Sequence, residues 1–513
     1  MTIISQPDVS INIIPATQTI SNEPQKVLFV GQMISGTATA GELVTNIGNA
    51  GEEDALFGTR SMVAQMIRQA RVINKVTQFD AIALADDGSA VDATGSIAFS
   101  GTATEDGTYV ISVGSKANYS VTVSVTSGDT ATEVGDALET AFALLTNAPV
   151  TGANSTGTVT FTAANGGTLG NSYGIKVEGS VAGLSTTITA FASGATDPSL
   201  TGLFDVIDGE RYQTIVYQSN LTLTTLTTEL DARFNVNNEI LDGVGLIAKT
   251  DSLANILTLG NAQNSKSLTV FGNKVLDDTN HKGGSMLEFD DVITAKFGAL
   301  RALRLTEGAD ISQFVISANG ALDSFGGKSI ASLPYFNSPV TNLPLIPVGK
   351  GFTATEIEQL IAAGISTIGN NRTRTQVICG EIVTTRKTDA AGNDEDTFKY
   401  LNAVDTSSAI REFYFNNLRA RFAQSRLTEG DLQANRNMAN KAIIESYLDN
   451  LFQQMGDASL AQAGEAARRY FKQNRTVTLT LIEGKVTITM KMPIVVQLRQ
   501  ILATMQIAFS TEG

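Results

Sequence analysis

Val9, Ile11 and Ile13 alternate with Ser10 and Asn12, and Pro7, Pro15 and Pro24 exclude a helix through them, so residues 1–25 read as an extended arm. "KVLFVGQMISG" (26–36) is a continuous apolar run closed by a glycine turn, which predicts a buried strand. Met62, Met66, Ile67 and Ala70 then recur at helical spacing, so residues 26–82 open a core domain. Between 83 and 199 the period falls to two. "SIAFSG", "TYVISV", "YSVTVSVTSGD", "GTVTFTAANGG", "GIKVEG" and "STTITAFASG" are short alternating runs parted by turn residues, the pattern of a β-sandwich. One helix interrupts them, with Asp129 or Thr130 as cap and Val134, Leu138, Phe142 and Leu145 on one face.

Residues 200–380 alternate strand and helix, from "YQTIVYQ" through "LTTLTTELDARF", "GVGLIAKT", "SLANILTLGN" and "KSLTVFG" to "LEFDDVITAKFGALRALRL". That order implies parallel strands joined by right-handed crossovers. A proline-rich loop (332–349) precedes a helix near Glu356–Ala363. Residues 381–495 begin with a hairpin ("EIVTTRKT", an acidic turn, "TFKYL"), continue with helices at about 406–425, 432–455 and 457–473, and finish with a hairpin of Thr476–Ile482 against Val486–Met492. In the last stretch, 496–513, Ile501, Ala503, Met505, Ile507 and Phe509 share one strand face, while Gln500, Thr504 and Gln506 share the other and Leu502 departs from the pattern. The expected fold class is a multidomain α+β and α/β chain: an α/β middle domain, an inserted β-sandwich-like domain, and a C-terminal domain of helices and a β-hairpin, flanked by terminal arms.

Composition sharpens this picture. The chain has 513 residues, 42% of them hydrophobic, a net charge of −15, one Cys and one His. Its acidity makes it a poor non-specific binder of nucleic acid. No run of about 18 apolar residues predicts a membrane span, and "MTIISQPDVSINIIPATQTI" lacks the basic and apolar regions of a secretory signal. The segment 83–199 carries eleven acids against Lys116 and Lys176, a net −9, so it reads as an inserted, solvated β-domain. Residues 407–475 are net +3.

Candidate chemistry is sparse. A Ser-His-Asp triad needs a histidine between a nucleophile and a carboxylate; His281, in "DDTNHKGGS", reads instead as a solvated loop residue. "SFGGKS" (324–329) has Leu322 where a phosphate-binding loop needs glycine. "AGNDED" and "DDG" read as turns rather than calcium loops. Cys379 reads as a buried small hydrophobe. No cofactor or metal site and no enzyme activity is expected. In "EAARRYFKQNR", Arg468, Arg469 and Lys472 cluster on one helix, either as a solvated face or as a docking face for an acidic partner.

The arm ending in "PQKVLFVGQMISGTATAGELV", the β-rich insertion after "FDAIALAD", the segment "TLGNSYGIKVEG" and the closing "RTVTLTLIEGKVTITMKMPIVVQLRQILATMQI" resemble the tail sheath proteins of contractile-tailed bacteriophages, particularly the Mu-like group. The likeness spans nearly the whole chain and rests on arrangement, without a sharp motif. It implies a subtilisin-like α/β domain with no matching catalytic set. It further implies a homo-oligomer of six-fold rings stacked helically around a tail tube protein, with baseplate and tail terminator proteins as further partners. It implies no nucleic acid, no membrane insertion and no cofactor, with assembly in the host bacterial cytoplasm into the virion. Mapped onto this chain, Val9, Ile11 and Ile13 and Ile501, Ala503, Met505, Ile507 and Phe509 are donated strands. Val477, Leu479, Leu481, Val486, Ile488 and Met490 form the acceptor hairpin, Arg468, Arg469 and Lys472 face the tube, and the acidic segment 83–199 is expected on the outer surface of the sheath, with its removal tolerated by assembly. The rival readings are the sheath of a tail-like bacteriocin or secretion system, a secreted β-rich adhesin, and a hydrolase.

Overall fold

The computed structural model describes residues 24–114, 118–235, 239–285, 288–305, 335–430, 437–457 and 460–496. The chain opens with β1 (Lys26–Gln32), a short β2 (Leu43–Val44), α1 (Glu52–Phe57), α2 (Met62–Ile73) and β3 (Gln78–Leu84). The Ser61 side chain caps α2 by accepting the Ala64 N–H, which fixes where the helical period begins. The insertion follows: β4 (Asp92–Gly101), β5 (Gly107–Val113), β6 (Ser120–Val125), α3 (Ala131–Ala143), β7 (Val150–Ser155), β8 (Thr158–Gly166), β9 (Ile175–Glu178) and β10 (Leu184–Ala192). The chain then returns to the core as β11 (Thr214–Tyr217), α4 (Leu223–Phe234), β12 (Val244–Asp251), α5 (Leu253–Ala262), β13 (Leu268–Asp278), β14 (His281–Ser285), α6 (Asp290–Leu305), α7 (Ala354–Ala362) and β15 (Ile365–Ser366).

Strands β3, β1, β11, β12, β13 and β15 run parallel, with β2 antiparallel on the β3 edge. Each strand is apolar on both faces because helices cover both sides. Val27 and Phe29 pack with Met66 and Ile67 of α2, while Leu28 and Val30 point into the opposite core with Leu226 and Leu230 of α4 and Ile256 of α5.

The insertion differs from the expected free-standing sandwich. β10, β4, β8 and β7 form a separate four-stranded sheet, but β6, β5 and β9 extend the large sheet through β14, an antiparallel continuation of β13. The two layers share one core. Phe99 meets Tyr109 with ring centroids 5.6 Å apart, and Phe142 of α3 packs on Phe161 at 5.1 Å. The Thr130 cap forms a capping box with Glu133. The same core runs on into α2 and α6, where Phe289 lies 4.7 Å from Tyr173 and 6.0 Å from Tyr119. Gly114, at φ +70°, permits this approach: a Cβ there would lie 1.9 Å from the Phe289 ring.

The rest comprises β16 (Ile368–Asn370), β17 (Val377–Cys379), α8 (Leu401–Phe422), β18 (Arg426–Leu427), β19 (Met438–Ala439), α9 (Lys441–Asp457), α10 (Glu465–Gln473), β20 (Arg475–Thr480) and β21 (Lys485–Met490). Three expectations shift. The helices start at Leu401, Lys441 and Glu465, and "EIVTTRKT" forms only one isolated bridge with "TFKYL", Val383 to Tyr400, and a second, Thr388 to Asp394, with the acidic turn. Thr385 is drawn away from that hairpin to bond the Leu268 carbonyl and Ser265. His281 is not in a surface loop; it sits in β14 and is 5% exposed, because β14 is covered by the insertion.

Candidate functional site

In an open parallel sheet, ligands bind beyond the carboxyl ends of the strands, where the strand order reverses. That point lies between β1 and β11, since the chain winds from β1 to β3 on one side and resumes at β11 on the other. β1 ends in Gln32 and Gln218 immediately follows β11, and both glutamines are buried. Gln218 accepts from the Gln32 N–H at 2.6 Å and donates to the Gln32 side chain at 2.5 Å. Gln32 donates in turn to Asp86 (2.5 Å) and to the Gly166 carbonyl (2.8 Å), both in the insertion. Asn220 donates to Asp197 (2.7 Å), whose carboxylate also receives the Thr168 N–H. The entry and exit of the insertion are thus tied into the crevice that an α/β enzyme leaves open for substrate.

Beside it, Asp290 and Asp291 begin α6 fully enclosed. Asp290 receives bonds from Thr250 and Asn273, and Asp291 receives the Ser219 N–H and hydroxyl. Burial, reinforced by the neighbouring Asp290 carboxylate, pushes Asp291 up to about 7. Among the described residues, no three His, Cys, Asp or Glu side chains are grouped to hold a metal. Burial pushes the Cys379 thiol up to about 12, so it is held as an unreactive thiol.

At the other end of the molecule, β20 and β21 form a two-stranded antiparallel hairpin in the register Val477–Ile488 and Leu479–Val486, with Met490 opposite Arg475. Val477, Leu479, Val486, Ile488 and Met490 all pack towards α9 and α10. The opposite face carries Thr476, Thr478, Thr487 and Thr489, all exposed. Leu481 does not belong to this acceptor set: the strand ends at Thr480, and Leu481–Glu483 form a 3₁₀ turn closed by Gly484 at φ +62°. A turn begins there because the closing pair is Thr480–Lys485, which leaves four residues to reverse the chain. Among the described residues neither outer strand edge is paired. A groove of about 560 Å³ runs along Val477–Leu479, walled by Glu429 and Asn440–Ala442 and by Glu445.

On α10, Ala467 and Phe471 face inward, and Phe471 stacks on Phe452 at 4.5 Å. Arg468, Arg469 and Tyr470 are exposed on the other side. Lys472 is exposed too, but it shares Asp449 with Arg475, at 3.5 Å from the carboxylate, so part of its charge is engaged within the chain. Val9, Ile11, Ile13, Ile501, Ala503, Met505, Ile507, Phe509 and the "SFGGKS" stretch lie outside the described residues.

Sequence reasoning missed the crevice glutamines and the buried ion pairs under α8. Arg211 bridges Asp242 (3.3 Å) and Glu412 (2.6 Å), and Arg301 meets Asp405 (2.5 Å). One signal was present: "KVLFVGQ" and "TIVYQ" each place a glutamine at or just after the end of an apolar strand.

No protein-family profile matches the chain. A curated relative, the Mu-like prophage FluMu tail sheath protein of Haemophilus influenzae, is 29% identical over 259 residues, 48% of this chain and 52% of that protein. The chain resembles a Mu-like tail sheath protein. The match spans about half the length of that sheath protein. Solved sheath structures align over nearly the full chain. One is a sheath tail protein from Desulfitobacterium hafniense, 11% identical, covering 95% of this chain and 100% of that one, at a TM-score of 0.45. Another is the helical sheath of the anti-feeding prophage in its contracted state, 13% identical, covering 98% and 99%, at a TM-score of 0.48. Likeness at that level carries no functional conclusion.

Proposed function

We propose that this chain is the structural subunit of a contractile phage tail sheath. It polymerises as stacked hexameric rings around a tail tube through exchanged terminal strands, and its contraction drives the tube through the host envelope. The observation that carries this reading is the β20–β21 hairpin. A lone two-stranded ribbon is marginal by itself, yet here it has an apolar face anchored on α9 and α10, unpaired edges among the described residues, and a groove of about 560 Å³ along Val477–Leu479 of β20. Such an edge takes an added strand through main-chain hydrogen bonds.

The alternating stretches Val9–Ile14 and Leu498–Phe509 have the matching period and are the proposed donors from neighbouring subunits. The N-terminal arm leaves at the amino edge of the parallel sheet, where Gln213 donates to the Pro24 carbonyl and Gln25 lines the cavity under α8, on the side where the C-terminal helices stand. Arg468 and Arg469 are the proposed tube-facing cations, with Lys472 contributing less because Asp449 already holds it. The remaining partners would be baseplate and terminator proteins, and the assembled location the virion. Deleting residues 497–513 should leave a folded, soluble subunit that forms no striated cylinders in negative-stain micrographs. Long sheaths assembled from the truncated chain would overturn the exchange reading.

A further inference from the structure

His281 is the chain's one histidine, and it occupies the seam where the insertion joins the α/β core. On β14 it pairs with Asp278 of β13 on one side and Lys176 of β9 on the other. Its Nε2 lies 2.8 Å from the Gly283 carbonyl, an atom that only accepts, so Nε2 carries the hydrogen. Nδ1 is buried with no hydrogen-bond partner among the described residues. The packing leaves no slack, since a Cβ on Gly174 would sit 2.9 Å from Nε2. Protonation would therefore place a second N–H against nothing that accepts it and a positive charge across from a lysine.

We infer that the β14–β9 seam is an acid-sensitive joint, closed around a neutral His281 and opened locally when that imidazole takes up a proton. The charged groups facing it are few. β9 brings Lys176, paired with Glu178 at 2.5 Å. β13 brings Asp277, bound by Lys282 of β14, and Asp278, bound by Lys350. β10, packed on β14, carries no charged residue. β12 carries Lys249 and Asp251, opposite Gly272 and Lys274 of β13, away from the Asp278 end. Both aspartates near His281 are thus engaged by lysines; they and the Gly283 carbonyl favour an imidazolium, but burial outweighs them. Burial holds the His281 pKa below the ordinary 6.5, and Lys176 adds to the depression. A lowered histidine pKa gives stability that is present above pH 6.5 and is lost as pH falls towards the closed-seam value.

The test reads hydrogen exchange at Val177, whose N–H donates across the seam to the Asn280 carbonyl. After correction for intrinsic rates, protection should fall about tenfold per pH unit from pH 6.5 down to the imidazole midpoint and then level off, one proton being taken up on opening. The variant His281→Gln, which keeps a donor and cannot charge, should show no such fall; Asp291 is unchanged in it and cancels from the comparison. If that variant does not fold, the wild-type chain suffices: its single histidine gives one set of ring-proton NMR signals, whose midpoint should lie below 6.5 and coincide with the pH at which the loss of protection levels off. Equal pH dependence in wild type and variant, or a histidine titrating at 6.5 or above, would overturn the inference.

Discussion

Asp291 is the residue whose environment most contradicts its chemistry: a carboxyl group enclosed at the start of α6, beside a second carboxyl, satisfied only by Ser219. Its folded pKa of about 7 stands above the ordinary value of 3.8, so stability is fully present below about pH 4 and is lost as pH rises through 7. Asp291→Asn retains a carbonyl to accept the Ser219 N–H. It should flatten the stability profile between pH 4 and 7 and stabilise the protein at pH 8 by about 2–4 kcal/mol, each pKa unit being about 1.4 kcal/mol. Chemical denaturation at pH 5 and pH 8 checks this; an unchanged pH slope would refute the assignment. None of this was legible in the sequence, where "FDDV" at a helix start reads as favourable solvated charge on the helix dipole. Enclosure by β11, β12 and β13 reverses it.

Among the elements, α8 does the most to unite the chain. Leu401 and Val404 sit in the α/β core with Phe297 and Val244, while Ala409, Ile410, Phe413 and Tyr414 sit in the C-terminal core with Leu448 and Phe452. Arg301 of α6 meets Asp405 of α8, and Tyr335 donates to the same carboxylate at 2.5 Å. Removing one partner of a buried pair leaves the other charge uncompensated, at a cost of about 3–5 kcal/mol. Arg301→Ala should lose that much in urea unfolding, whereas replacing Arg301 and Asp405 together by apolar residues should recover part of it; a loss below about 1 kcal/mol for the single change would show the pair to be idle. Periodicity located this helix within five residues, but its start at Leu401 was not legible, because its first turn is specified by burial against α6 rather than by a capping side chain.

At the scale of the whole molecule, the insertion is the element whose meaning changed. Its charge and turn-rich alternation gave an acidic appendage that assembly would tolerate losing. The shared core reverses that expectation: removing residues 87–196 would uncover Met62, Val63, Met66 and Phe289, each worth about 1.5–3 kcal/mol when buried, and leave Gln32 without the Gly166 carbonyl. Against a typical stability of about 5–15 kcal/mol, the shortened chain should be insoluble or lose its cooperative melt in calorimetry; a soluble, cooperatively melting product would show the insertion to be separable. The sequence by itself determined what depends on neighbours along the chain: the strand and helix periods, a cap at Asp129 or Thr130, the β20–β21 hairpin, the burial of Cys379, and the alternation of the arms. Tertiary structure alone decided what depends on residues brought together from afar. It sealed the switch-point crevice with Asp86, Asp197 and the Gly166 carbonyl, the last 134 residues from Gln32, buried His281 in a seam, and placed Arg301 against Asp405. Local pattern records which face of an element is apolar, and only packing determines what that face, and the polar groups at its ends, will meet.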